Sequence, residues 1–98
     1  MTTFAVTYRY RDDSDAERHT HRPAHVEFLQ DLHSHGYLYM SGPLASEPSR
    51  ALLVFEDTDA DTLETRLDGD PFFENGLIAE RTVTAWNVFF DPRRTTER

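Results

Sequence analysis

The chain has 98 residues, 18 of them acidic and 10 basic, for a formal net charge of −8 and a pI near 4.9. That balance repels phosphate backbones and anionic membrane surfaces, which argues against nucleic acid or membrane as partners. The absence of cysteine excludes disulfides, thiolate nucleophiles and cysteine-based metal sites.

A length of this order supports one domain with a modest core, in which oligomerisation would bury further surface. The expectation is a single unit over residues 1–98, with 91–98 a frayed polar tail. All ten basic residues are arginine, a pattern of codon usage rather than of function. Met1-Thr2-Thr3-Phe4 leads straight into an alternating pattern, with no basic n-region and no long apolar stretch, so a cytoplasmic protein is expected.

Phe4, Val6, Tyr8 and Tyr10 alternate with Ala5, Thr7, Arg9 and Arg11, the period of two of a strand, predicted over about residues 3–10. Residues 11–21 read as a polar loop, with Ser14 or Asp15 able to cap a short helical turn through Ala16, Glu17 and Arg18. Pro23 suits the first turn of a helix and Gly36 the position after its end, so a helix is predicted over about residues 22–35. On it His25, Phe28, Leu29 and Leu32 stand at i, i+3, i+4 and i+7, which sets an imidazole on the apolar face.

A short strand from Tyr37 to Met40 closes at Ser41-Gly42-Pro43 and reads as an edge strand. Ala51-Leu52-Leu53-Val54-Phe55, apolar on consecutive residues, reads as a central strand covered on both faces. Thr58 with Asp61 loosely resembles a capping box, and Asp59 is a competing cap. A helix then follows through Ala60, Leu63, Glu64 and Leu67 to Asp68-Gly69. Asp70-Pro71-Phe72-Phe73 forms an aromatic turn, and a long last strand is predicted over residues 78–90, apolar on both faces.

Strand, helix, strand, strand, helix, strand is the ferredoxin-like βαββαβ order, an α+β fold with an antiparallel sheet and both helices on one face. With right-handed crossovers, the start of the first helix, the end of the second strand and the end of the second helix share one rim. His25, Ser41-Gly42 and Asp70 therefore meet there. A carboxylate beside the imidazole would fix its tautomer and stabilise imidazolium, whereas the positive end of the first helix would oppose the charge. The uncovered sheet face calls for a second copy of the chain, giving a homodimer through that face and an α+β barrel.

Arg22-Pro23-Ala24-His25, Tyr39-Met40-Ser41-Gly42-Pro43-Leu44 and Asp70-Pro71-Phe72 together resemble the YCII-related family over nearly the whole chain. The resemblance implies a dimeric α+β barrel and a His and Asp dyad matching His25 and Asp70, with Ser41 and Gly42 lining the same pocket. It further implies small cyclic or aromatic substrates, including dehydrochlorination-type eliminations. The link between the second and third strands is shorter here than the insertion often seen in the family, and that segment borders the pocket.

Tyr8 and Phe72 are the aromatic residues expected near the rim as substrate contacts. Arg9 and Arg81 could bind a substrate carboxylate, with surface ion pairs the plainer reading. His19 and His21 with His25 have the composition of a metal site, but a solvated loop is the plainer reading and no metal or cofactor is expected. His33 and His35 suit the last turn of the helix, where positive charge is favoured. Two functions follow. One is a cofactor-independent enzyme in which His25, oriented by Asp70, removes a proton in an elimination or isomerisation; the other is a non-catalytic dimeric module that binds a small ligand.

Overall fold

The computed structural model describes residues 1–93. Its elements in chain order are β1 (Thr2–Tyr10), α1 (Asp15–Ser34), β2 (Leu38–Leu44), β3 (Arg50–Asp57), α2 (Ala60–Leu67), α3 (Pro71–Glu74) and β4 (Ile78–Ala85). The four strands form one antiparallel sheet in the order β2-β3-β1-β4. This is the ferredoxin-like α+β plan, the protomer plan of dimeric α+β barrels.

Alternation in β1 determines which side is packed. Phe4, Val6 and Tyr8 stand opposite Phe55, Leu53 and Ala51 of β3, and all six are buried. Leu32 of α1, Leu63 and Leu67 of α2 and Phe72 of α3 close over that face, so the helices lie on one side of the sheet. Burying a side chain of this size contributes about 1.5–3 kcal/mol each, which makes this layer the main source of stability.

Helix α1 begins at Asp15, two turns before the proline expected to start it. Pro23 lies inside the helix, where its missing N–H and its ring cost about 3 kcal/mol. Local contacts offset this. Asp15 and Glu17 lie in the first turn, where acids suit the helix dipole. Arg18 donates from Nε to Ser14 Oγ at 3.0 Å and sits 4.3 Å over the Tyr10 ring. Pro23 and His19, whose carbonyl loses the bond, are both exposed, so water can satisfy the freed group. Residues 15–21 are therefore helical rather than loop, and His25 is well inside α1 rather than at its positive end. The opposing dipole expected at His25 fades within the first turn and is not a factor there.

β2 runs through Ser41-Gly42-Pro43 to Leu44 instead of closing before it. As the edge strand it can hold a proline, whose absent N–H breaks no interior ladder. Asp59, not Thr58, caps α2, accepting from Thr62 N–H at 2.8 Å. The aromatic turn after α2 is a one-turn helix, α3, capped by Asp70 with Pro71 at its first position.

β4 ends at Ala85, so Trp86, Val88 and Phe90 are not part of a strand. The chain instead turns back across the second face of the sheet. Trp86 N–H donates to Thr3 O at 2.9 Å, and the Arg93 guanidinium lies 3.6 Å over the Tyr39 ring on β2. Tyr39 in turn bonds Glu56, whose side chain points away from the helices. On this face Thr3 and Val54 are buried, while Met40 and Leu44, and Trp86, Phe89 and Phe90 of the crossing segment, stay exposed. Of the tail expected to fray, residues 94–98 lie outside the described residues, and Asp91 is tied to Arg93 by a salt bridge.

Candidate functional site

Three elements converge beside the far end of β1. Tyr8 points from β1 into the helical layer, His25 comes down from α1, and Asp70 caps α3. Asp70 is fully buried and His25 is 8 % exposed. His25 Nδ1 lies 2.8 Å from Asp70 Oδ1, the Tyr8 hydroxyl donates to Asp70 Oδ2 at 3.0 Å, and Phe72 N–H donates to Oδ1 at 2.9 Å. A buried carboxylate needs such donors, since desolvation without them would be costly.

The network sets the protonation pattern. Burial, then the neighbouring Asp70 charge, pushes the Tyr8 phenol well above its ordinary value, so it stays a phenol and donates. A carboxylate already taking two donors accepts from His25 as well, which places the imidazole proton on Nδ1 and the lone pair on Nε2. Phe72 holds the ring plane, stacked on the imidazole at 3.8 Å between centroids and 2° between planes.

A cavity of about 300 Å³ opens over this network. Tyr8, His25, Ser41, Gly42 and Phe72 all line it, whereas Asp70 lies behind them. A Cβ at Gly42 would meet nothing within 4 Å, so its bare backbone leaves room on that wall. Leu29, Pro43, Ala51 and Leu53 give the apolar part of the lining. Tyr10, Arg18 and Arg22 complete the charged and aromatic rim. Burial pushes the Tyr10 phenol upward, opposed by the Arg18 guanidinium beside it.

Other candidates are placed elsewhere. Arg9 reaches Glu80 across the sheet at 3.6 Å, and Arg81 pairs with Asp68 at 2.9 Å and Glu64 at 3.8 Å, so both have carboxylate partners within the chain. His19 and His21 stand two apart on a helix and point to different sides, a spacing that does not converge on one ion. His33 Nδ1 meets Leu38 O and His35 Nδ1 meets Asp31 O, each at 2.8 Å.

Arg18 was assigned no site role by sequence because residues 11–21 read as a polar loop, and Arg22 entered only as part of the Arg22-Pro23-Ala24-His25 motif at the start of the predicted helix. With the helix extended to Asp15, Arg18, Arg22, His25 and Leu29 fall at i, i+4, i+7 and i+11, one continuous stripe. That spacing was the available signal. The Tyr8 bond to Asp70 had no such signal, because a tertiary hydrogen bond leaves no periodicity.

Residues 2–87 match the YCII-related domain. The chain belongs to the YCII-related family. Among solved structures, this YCII-related chain is similar to 5-chloro-2-hydroxyhydroquinone dehydrochlorinase (TftG) from Burkholderia phenoliruptrix AC1100, in complex with 2,5-dihydroxybenzoquinone. The TM-score is 0.77 at 22% identity, covering 87% of this chain and 93% of that one. It is also similar to an antibiotic biosynthesis monooxygenase, with a TM-score of 0.56 at 11% identity over 91% of this chain and 99% of that one. At these identities the likeness is one of fold. No curated protein sequence matches the chain. Among the described residues no helix is long and apolar enough to cross a membrane.

Proposed function

We propose that this YCII-related protein is a cofactor-independent enzyme that removes a proton from a small cyclic or aromatic compound, with His25 as general base and Asp70 as its positioning partner. The observation that carries this reading is the 2.8 Å contact between His25 Nδ1 and a fully buried Asp70 that also accepts from Tyr8 and Phe72, at the wall of a cavity. A dehydrochlorinase among the structural neighbours supports the same class of chemistry.

His25 Nε2 takes a proton from a ring C–H or O–H of the bound compound. The electron pair left behind forms the new π bond. In an elimination it expels the leaving group as an anion, and in an isomerisation a proton returns to a different atom. Asp70 stabilises the imidazolium without itself taking the proton, and solvent then restores neutral His25. Ser41 and Gly42 are substrate contacts on the opposite wall, and Phe72 holds the base in plane. A cavity of about 300 Å³ admits a single substituted ring.

The functional unit is a homodimer in this proposal. Met40 and Leu44, 54% and 41% exposed, lie on the sheet face away from the helices beside the crossing 86–93 segment, and a second copy would cover them. Replacing His25 with Ala is expected to abolish turnover in a screen of hydroxylated aromatics and lactones while the circular dichroism spectrum stays unchanged. Retained turnover would remove His25 from the reaction and leave the ligand-binding module as the reading.

A further inference from the structure

The charged side chains that line the cavity are one-sided, with the Asp70 carboxylate standing behind them against His25 and Tyr8. Arg18, Arg22 and His25 line it and no carboxylate does, in a chain with 18 acidic residues against 10 basic ones. An acidic protein that keeps every acid out of one concave site has built that site for an electron-rich guest.

The two arginines are not equivalent. Arg18 is committed within the protein, through Nε to Ser14 Oγ, an ion pair with Asp15 and its position over the Tyr10 ring. Arg22 is exposed and, among the described residues, makes no hydrogen bond or ion pair. Arg22 precedes His25 by three positions on α1, which brings their Cβ atoms to about 5–6 Å. A guanidinium there can take an oxygen of a ring whose reacting atom faces His25 Nε2, since a single ring spans that separation. Its planar fork also matches a carboxylate better than an ammonium would.

We propose that Arg22 is the anion-recognising residue of this cavity, and that the substrate is a single planar ring bearing an oxyanion, either carboxylate or phenolate. The proposal rests on the reading of the cavity as a substrate site and names the substrate class it takes. Arg18 holds Tyr10 in place as part of the wall, and Arg22 supplies the attraction.

The test is a binding comparison by calorimetry on the full chain with charged and neutral rings of matched shape. Benzoate is paired with benzamide and 4-nitrophenolate with 4-nitroanisole, at low salt. At least one anion is expected to bind roughly ten-fold tighter than its neutral partner, the strength of a charge-assisted hydrogen bond at a partly solvated site. The pair that shows the preference identifies carboxylate or phenolate as the source. Arg22→Gln should bring the ratio to about one and Arg22→Glu should invert it, because the residue is exposed and the fold does not depend on it. Equal binding in the wild type, no binding of any ring, or an anion preference that survives Arg22→Gln would each overturn the proposal. These rings carry no C–H acidic enough for an imidazole, so the base reading is tested separately, by the screen of hydroxylated aromatics and lactones with wild type and His25→Ala. Anion preference without any His25-dependent turnover would sustain Arg22 and remove the base role, and His25-dependent turnover without anion preference would do the reverse.

Discussion

The protein buries two aspartates completely, and they sit toward opposite ends of the sheet with different partners. Asp57, at the end of β3 opposite Thr2, accepts from Arg66 Nε at 2.7 Å and from Thr58 N–H at 2.8 Å. Arg66 is in turn packed over the Tyr37 ring at 3.9 Å, and the Asp57 carboxylate holds its guanidinium firmly protonated. Every donor there keeps its proton across the biological pH range, so the pair can fasten α2 to β3 but cannot pass a proton. Asp70 has instead a phenol, a backbone N–H and an imidazole, and of these the imidazole alone has a second ring nitrogen able to take up a proton. The carboxylate is the same group in both places. What makes one an anchor and the other a candidate for chemistry is the partner, together with a cavity at the second and none of its lining at the first.

The comparison breaks most sharply under Asp70→Asn and Asp57→Asn. An amide at position 70 can donate to the imidazole and so no longer enforces a proton on Nδ1. Turnover is expected to fall by roughly 10²–10⁴ with the fold retained, the range for losing correctly positioned base catalysis. Asp57→Asn should leave turnover per folded molecule unchanged. Steady-state rates on one substrate of the His25-dependent reaction check both, and equal losses in the two variants would mean that neither site is special.

Stability should separate them in the other direction. Asp57→Ala strands the Arg66 guanidinium, which costs about 3–5 kcal/mol for a wholly buried pair. Because the Arg66 side chain is 32% exposed it can turn to water, so the expected loss is smaller, about 2 kcal/mol. A urea unfolding midpoint measures it. A shift near zero would show that α2 is held by Leu63 and Leu67 alone.

How far this contrast was legible beforehand depends on what kind of interaction carried it. Alternation in β1 and the apolar run of β3 gave those strands nearly whole, because half-buried and buried strands impose their patterns directly on sequence. Element order put His25 and Asp70 on one rim by taking His25 as the start of the first helix; the two do meet, at 2.8 Å, but with His25 midway along α1. The start of α1 was misplaced because Pro23 is a strong local signal, and the contacts of Arg18 with Ser14 and Tyr10 that outweigh it are partly tertiary. β4 was drawn too long because alternation continues past Ala85, although the chain leaves the ladder after Trp86 and crosses to β2, where Arg93 meets Tyr39. Tyr8 was expected as a substrate contact, and it does line the cavity, but its hydroxyl is occupied by Asp70.

That occupied hydroxyl gives the smallest and most diagnostic prediction. Tyr8→Phe removes one of three donors to Asp70 while keeping the ring in the core, a loss of about 1.5 kcal/mol for a hydrogen bond to a charged group. Its pH dependence has a definite sign. Burial raises the folded phenol above the ordinary tyrosine value of 10.0, so the folded state keeps a proton that the unfolded state releases once the pH passes that value. The unfolded chain then binds fewer protons, and stability falls as pH rises. The contribution is complete below pH 10.0 and is progressively lost above it. The wild type should therefore exceed Tyr8→Phe by a constant margin through neutral pH, and the margin should shrink in urea titrations between about pH 10 and 11. Tyr10, also raised, is present in both proteins and cancels in the difference. A margin that held steady into that alkaline range would mean the Tyr8 phenol ionises in place, and that Asp70 keeps its position through His25 and Phe72 without it.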